Sequence, residues 1–202
     1  MCQQHLHLYI NLDRYPDRAK KFEATNSVPF QMCGMQRLSA VDGPRELPPS
    51  KPGELKRGER GCIGSHKKAW KRLTDSSQAY GVVLEDDADL ASDYIPLLDT
   101  VLAEASQVCE KPLVFFGRTT WTDVEKEPQV SPHLHRVTEP SFGMHAYAIS
   151  RAAAAHLGAQ HIDKALDVYL WKYLQDSPEV CLLRTSHQLS GVNHNPSSTQ
   201  EN

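Results

Sequence analysis

The nine residues from Val82 to Leu90 read VVLEDDADL, an apolar run that stops abruptly in Glu85, Asp86, Asp87 and, one residue on, Asp89. Carboxylates this close repel one another and raise one another's pKa, so the cluster is costly unless a cation, a substrate or solvent compensates. Hard oxygen ligands without accompanying cysteines or paired histidines suit Mg²⁺ or Mn²⁺, ions that keep open positions for the phosphates of a substrate. The plainer alternative is a strand that ends at the surface with its acids in water.

The flanking segments define the elements that would hold such a cluster. In HLHLYINL, Leu6, Leu8, Ile10 and Leu12 alternate as in a strand, and DRAKKFEAT from Asp17 has helical composition with an acid in its first turn. MQRLSAV (35–41) reads as a second strand, and DGPRELPPSKPGE after it is too rich in Gly and Pro for regular structure. In ERGCIGSHKKAWKRL, from Glu59, the residues Cys62, Ile63, His66, Trp70 and Leu73 recur at three- and four-residue spacing, which predicts a helix with one apolar stripe and a basic face. VVLEDD is too apolar to be an edge strand. Tyr94 to Ala105 reads as helix, LVFF (113–116) as a buried strand, HAYAIS (145–150) as a strand feeding the helix RAAAAHL, and 163–174 as the last helix. Alternating elements with short apolar strands predict an α/β fold: a mainly parallel, Rossmann-type sheet flanked by helices, as one domain over 1–185 with a polar tail over 186–202. Ligands of such sheets sit beyond the carboxyl ends of the strands, where the acidic cluster lies.

Composition narrows the partners. The 202 residues carry 22 Lys and Arg against 25 Asp and Glu, a net charge of −3, so no overall basic field recruits nucleic acid or an anionic membrane. The N-terminus lacks a basic segment followed by an apolar run, and no stretch approaches the length of a membrane span. The five cysteines are scattered and never form CxxC, an argument against a disulfide framework and a structural zinc site and in favour of a reducing, cytoplasmic setting.

Six segments in order resemble glycosyltransferase family 25, which includes bacterial lipooligosaccharide galactosyltransferases and procollagen galactosyltransferases: YINLDRYPDR, RLSAVDG, GERGCIGSHKKAW, VVLEDDADL, VFFGR and HAYAISRAAAAHL. The resemblance implies a GT-A-like fold, a UDP-sugar donor, a glycan or protein-linked hydroxyl acceptor, and metal-dependent, inverting transfer of a hexose, most simply galactose, as in lipooligosaccharide biosynthesis. It implies that Asp87 holds a Mn²⁺ or Mg²⁺ ion bridging the donor diphosphate, that Glu85 and Asp86 contact the nucleoside or orient the loop, and that Arg118 of VFFGR belongs to the donor site. Asp163 matches the family's acidic position after the HAYAIS-like strand and becomes the base that takes the acceptor's proton. Asp167, four residues on, shares its helical face and is the reserve. Arg14 and Arg18, following the first strand, are placed to reach donor phosphates or a uracil carbonyl. Ser65 and His66 lie on the GCIGSH helix, where the imidazole is positioned to hydrogen-bond the donor, and His145 lines the site from its strand. GT-A enzymes often close the metal site with a late histidine, for which His187 fits the tail better than His194.

Each of these side chains also has an ordinary role: an Asp near a helix start caps it, a His in an apolar stripe is a core residue, and the basic run Lys67, Lys68, Lys71 and Arg72 is a solvated face. Two other function classes compete. Asp87 and Asp89 form a DAD motif like that of haloacid-dehalogenase-type phosphohydrolases, and a non-catalytic nucleotide-sugar or metal-binding module needs no base at all.

Overall fold

The computed structural model describes residues 2–117, 126–138, 144–176 and 179–192. Arg118 and His194 lie outside them. The chain runs through β1 (Leu6–Asn11), α1 (Pro16–Thr25), α2 (Ser27–Cys33), β2 (Gln36–Ser39), α3 (Gly43–Glu46) and α4 (Arg57–Thr74). It continues through β3 (Tyr80–Glu85), β4 (Ala88–Leu90), α5 (Tyr94–Val108), β5 (Pro112–Phe115), β6 (Gln129–Ser131) and β7 (Leu134–Arg136). The last elements are β8 (Ala146–Ser150), α6 (Arg151–Ala159), α7 (Leu166–Asp176), β9 (Cys181–Thr185) and β10 (Ser190–Val192).

Local chemistry sets several of these boundaries. Pro16 opens α1, where its missing N–H costs nothing, and Asp17 meets the positive end of the helix dipole. The Glu59 carboxylate reaches back to accept the Lys56 N–H at 2.8 Å and starts α4. The Ser150 hydroxyl accepts from the Ala153 N–H at 3.1 Å and turns β8 into α6. Gly34 ends α2 at a φ of 63°, a backbone conformation that costs glycine nothing.

Among the described residues the main sheet has eight strands in the order β2-β1-β3-β8-β5-β9-β7-β6, and β4 pairs with β10 in a separate ribbon. The sheet is mixed rather than mainly parallel. β1 is parallel to β2 and β3, and β5 is parallel to β9, but β8 runs antiparallel between β3 and β5, and β7 runs antiparallel to β9 and β6. The apolar content of a strand reports burial on both faces and says nothing about direction, so HAYAIS looks the same pointing either way.

Period-2 alternation divides the sheet between two cores. Val83, Leu113, Phe115, Tyr147 and Ile149 pack with Ile63, Trp70 and Leu73 of α4, Ala153 and Leu157 of α6, and Leu170 of α7. Val82, Leu84, Val114, Phe116, Ala146 and Ala148 pack with Phe22 of α1 and Tyr94, Leu98 and Leu102 of α5 on the other face. The parity of β3 therefore directs Glu85 to the same face as Val83, toward α4.

Four expectations are corrected. The Gly/Pro-rich segment after β2 contains the one-turn helix α3, packed so closely on α4 that a Cβ on Gly43 would sit 1.8 Å from the Arg57 carbonyl oxygen. Residues 186–192, assigned to a polar tail, are built in: Leu189 is fully buried, and Ser190, Gly191 and Val192 pair with Leu90, Asp89 and Ala88. The last helix begins at Leu166, not Asp163, because Ile162 is drawn into the core and the chain between α6 and α7 must turn first. Finally, Cys2 is joined to Cys33 and Cys109 to Cys181, pairs separated by 31 and 72 residues that no local spacing could announce. The cysteine pattern thus no longer supports a reducing compartment.

Candidate functional site

The carboxyl ends of β1 and β3 and the chain leaving β2 open onto a cleft of about 570 Å³, its solvent-open mouth included, between the start of α1 and the first half of α4. Arg14 and Arg18 line it with Ser65 and His66 of α4 and with Glu85 and Asp86 at the end of β3. Six of the residues expected at a nucleotide-sugar site therefore share one cavity. The close approach of α4 forms its floor: a Cβ on Gly61 would lie 2.7 Å from the Val41 carbonyl oxygen.

The acids are handled one at a time. Asp86 is buried; it accepts a 2.6 Å hydrogen bond from Asn11 Nδ2 and pairs with the Arg18 guanidinium. Burial raises its pKa, and the Asn11 hydrogen bond and the Arg18 charge only partly offset that rise. Asn11 is itself fixed by Arg37, whose Nε and Nη2 donate to its Oδ1 at 2.9 and 2.7 Å. Arg14 pairs with Asp42 at 2.9 Å, and its guanidinium lies 4.5 Å from the centroid of the Tyr15 ring. Both arginines are thus held at the cleft by neighbouring acids.

Glu85 meets α4. Its Oε1 lies 3.2 Å from His66 Nε2, and His66 Nδ1 lies 2.9 Å from the Tyr147 hydroxyl, which accepts a 2.9 Å hydrogen bond from Trp70 Nε1. The tautomer that satisfies every member runs one way: Trp70 donates to Tyr147, Tyr147 to His66, and His66 to Glu85. Burial pushes Glu85 up, but the hydrogen bond and charge of His66, with His145 and Arg18, outweigh it and hold the carboxyl below its usual range. Phenylalanine at position 147 would leave the Trp70 N–H and His66 Nδ1 buried without this partner. Tyr147→Phe is expected to lower unfolding free energy by about 1–3 kcal/mol, read from urea denaturation.

Asp87 is left over. One of its oxygens, Oδ1, is buried with no hydrogen-bond partner among the described residues. Burial, and then the charges of Glu85 and Asp86, lift its carboxyl from 3.8 to about 7. A divalent cation would relieve both the orphaned oxygen and the repulsion, so the residue fits the ion that the sequence suggests. His187 is exposed, its ring centroid 6.4 Å from that of His133. Among the described residues, the only group of three or more His, Cys, Asp and Glu side chains with ligand atoms close enough to share an ion is Cys62, His66 and Glu85.

The remaining candidates are dispersed. The Ser65 hydroxyl donates to the Gly61 carbonyl at 2.7 Å and accepts from the Val41 N–H at 2.9 Å, so it staples α4 to the chain after β2. His145 is buried at the head of β8, where burial lowers its pKa against the opposing charge of Glu85. Asp163 is exposed in the turn before α7, whereas Asp167 lies in the first turn of that helix, part-buried, and contributes to raising the pKa of the Cys62 thiol. The two acids share no helical face. Lys67 and Lys68, expected as a solvated face, reach the Gln160 carbonyl at 2.5 Å and the Ser39 carbonyl at 2.6 Å.

Sequence reasoning passed over Asn11, Asp42, Cys62 and Trp70 as site components. Asn11 carried a signal, a polar residue closing an apolar strand before DRYPDR; the others lie in a helix and a loop whose meeting is a tertiary event.

The chain is also similar to known proteins. The model of glycosyltransferase family 25, described as an LPS biosynthesis protein, matches residues 5–168. A glycosyltransferase 25 family member from Drosophila pseudoobscura pseudoobscura is 31% identical over 140 residues, 60% of this chain and 22% of that protein. Procollagen galactosyltransferase 1-A from Xenopus laevis is 31% identical over 117 residues, 56% of this chain and 19% of that protein. The chain thus spans about a fifth of the length of the curated relatives it matches. A crystal structure of a glycosyltransferase involved in glycosylation of the major capsid of PBCV-1 aligns over 86% of this chain and 68% of that one, with a TM-score of 0.39 and 9% identity, too distant to argue from.

Proposed function

This chain belongs to glycosyltransferase family 25, and on that premise we propose that it transfers a hexose, galactose first among them, from a UDP-sugar to a hydroxyl of a glycan or protein-linked acceptor, with inversion. The observation that carries the reading is the cleft itself, which sets Arg14 and Arg18 opposite Glu85 at the strand ends, beside an acid with an orphaned oxygen. Diphosphate, ribose and base offer the matching groups: anionic oxygens for the arginines, and hydroxyls or an N–H for a carboxylate kept ionised. The galactosyl choice follows the name of the procollagen galactosyltransferase relative.

Within this reading each residue has a defined task. Asp86 fixes the Arg18 guanidinium at the cleft, and Arg18 binds a donor phosphate. Glu85, oriented by His66, accepts a hydrogen bond from the nucleoside. Asp87 holds Mn²⁺ or Mg²⁺, which when bound offsets the charge of the departing diphosphate. Asp167, rather than Asp163, takes the proton of the attacking hydroxyl, because it is the part-buried carboxylate whose charge reaches α4. The phosphohydrolase alternative has no support from the family.

The full chain, incubated with Mn²⁺ and a panel of UDP-sugars with hydroxyl-bearing acceptors, is expected to release UDP fastest from UDP-galactose. Binding without release from any donor would make the protein a nucleotide-sugar-binding module instead. By linkage, UDP with Mn²⁺ should also raise the melting temperature far more than UDP with a chelator, since the cation removes repulsion between Asp87 and the diphosphate. Equal shifts in a thermal scan would transfer the phosphate site to Arg14 and Arg18 alone.

A further inference from the structure

Cys62 Sγ, a ring nitrogen of His66 and a Glu85 carboxylate oxygen all lie within 4.8 Å of one another. We infer that they form a binding site for a borderline, thiophilic divalent cation of the zinc class, separate from the ion assigned to Asp87. Cys62 and His66 are four residues apart on α4 and so project from one face of the helix, and the parity of β3 brings Glu85 to that face. All three side chains line the cleft, which leaves a fourth coordination position open to water or to a ligand oxygen.

The donor set selects the ion. One sulfur, one imidazole nitrogen and one carboxylate oxygen are the ligand types of zinc, whereas Mn²⁺ and Mg²⁺ prefer oxygen alone. The imidazole is also oriented from behind: His66 Nδ1 is held 2.9 Å from the Tyr147 hydroxyl, whose position is set by Trp70. His66 Nε2 and Glu85 Oε1, at 3.2 Å, already stand at about the spacing that two bonds of roughly 2.0 Å require in a tetrahedral site. Cys62 is partly covered and lines the same cleft as the pair. On binding, the Cys62 thiol gives its proton to solvent and its sulfur binds as thiolate. His66 Nε2 loses its proton to solvent as it binds the cation and Nδ1 takes one up, so the Tyr147 hydroxyl turns from donor to acceptor toward His66, and Nε2 and Glu85 supply lone pairs.

The protein provides a clean readout, because the other four cysteines are paired and Cys62 alone reports to a thiol reagent. Zn²⁺ added to the metal-free, full-length chain is expected to slow modification of Cys62 by a disulfide reagent, and Mn²⁺ at the same concentration to leave it unchanged. Co²⁺ is expected to give a thiolate-to-metal charge-transfer band that Cys62→Ser abolishes. Glu85→Gln keeps a hydrogen-bond acceptor for His66 but removes the charged ligand. It should weaken zinc binding, measured by competition with a chromophoric chelator, by more than the roughly 10- to 100-fold that loss of an outer partner costs. Unprotected Cys62 in the wild-type chain at saturating Zn²⁺, or equal Zn²⁺ affinity in wild type and Cys62→Ser, would overturn the site and leave an ordinary His–Glu pair beside an inert thiol. The metal readouts involve no donor, so their failure leaves the UDP-sugar reading standing, and failed sugar turnover leaves the zinc site standing.

Discussion

Asp87→Asn is expected to remove Mn²⁺-dependent UDP binding while the fold survives. Asp87 is the one acid of the triplet with an orphaned buried oxygen among the described residues: Asp86 is tied to Asn11 and Arg18, and Glu85 to His66. An amide in its place keeps the shape and loses the charge that a divalent ion requires. Calorimetry with UDP and Mn²⁺ should show affinity reduced to the level seen with chelator, and unchanged affinity would remove Asp87 from the metal site. The same substitution has a second signature in the metal-free protein. Burial and the neighbouring acids lift the Asp87 carboxyl from 3.8 to about 7. Between those values the native state holds a proton that the unfolded chain has released, so stability falls as pH rises through the window. Metal-free wild type should therefore lose melting temperature relative to Asp87→Asn as pH is raised from 3.8 to about 7, and the two should run in parallel above it. Parallel curves throughout would show that the carboxyl is not perturbed.

Asp167→Asn is expected to lower hexose transfer by roughly 10²- to 10⁴-fold, the usual worth of a positioned general base, with little change in UDP or Mn²⁺ affinity. The amide still hydrogen-bonds but does not take up the proton of the attacking hydroxyl. Asp167 lies in the first turn of α7, where its own Oδ1 accepts from the Val168 N–H at 2.8 Å. Asp163 is exposed in the preceding turn, so Asp163→Asn should transfer at close to the wild-type rate. Single-turnover measurements with donor saturating separate chemistry from binding. The reverse pattern, with Asp163→Asn inactive and Asp167→Asn normal, would return the base to the position that the family resemblance first indicated.

Much of the site was legible because its parts sit at the ends of strongly patterned segments. The alternation of HLHLYINL and the apolar run of VVLEDD placed Arg14, Arg18 and the acidic triplet at strand ends before any geometry was known, and one cavity gathers Arg14, Arg18, Ser65, His66, Glu85 and Asp86. What failed to read through were features that depend on what a residue meets. Ser65 looked like a ligand donor and is consumed by Gly61 and Val41. His187 looked like a late metal ligand and faces His133. Asp163 and Asp167 looked like neighbours on one helix, until the burial of Ile162 delayed the helix start and separated them.

The sequence by itself determined which segments are strands and helices over most of the chain, the face that each strand and helix buries, and the chemical character of the cleft, because hydrophobic period and residue type are local properties. The direction of β8, the pairing of β10 with β4, the joining of Cys2 to Cys33 and of Cys109 to Cys181, and the relay from Trp70 through Tyr147 and His66 to Glu85 were decided only in three dimensions. A strand buried on both faces carries no mark of its direction, and a hydrogen bond between residues 77 or 81 positions apart leaves no trace in either neighbourhood. Packing α4 across β3 and β8 is what turned a cysteine, a histidine and a glutamate from separate segments into one cluster of ligands.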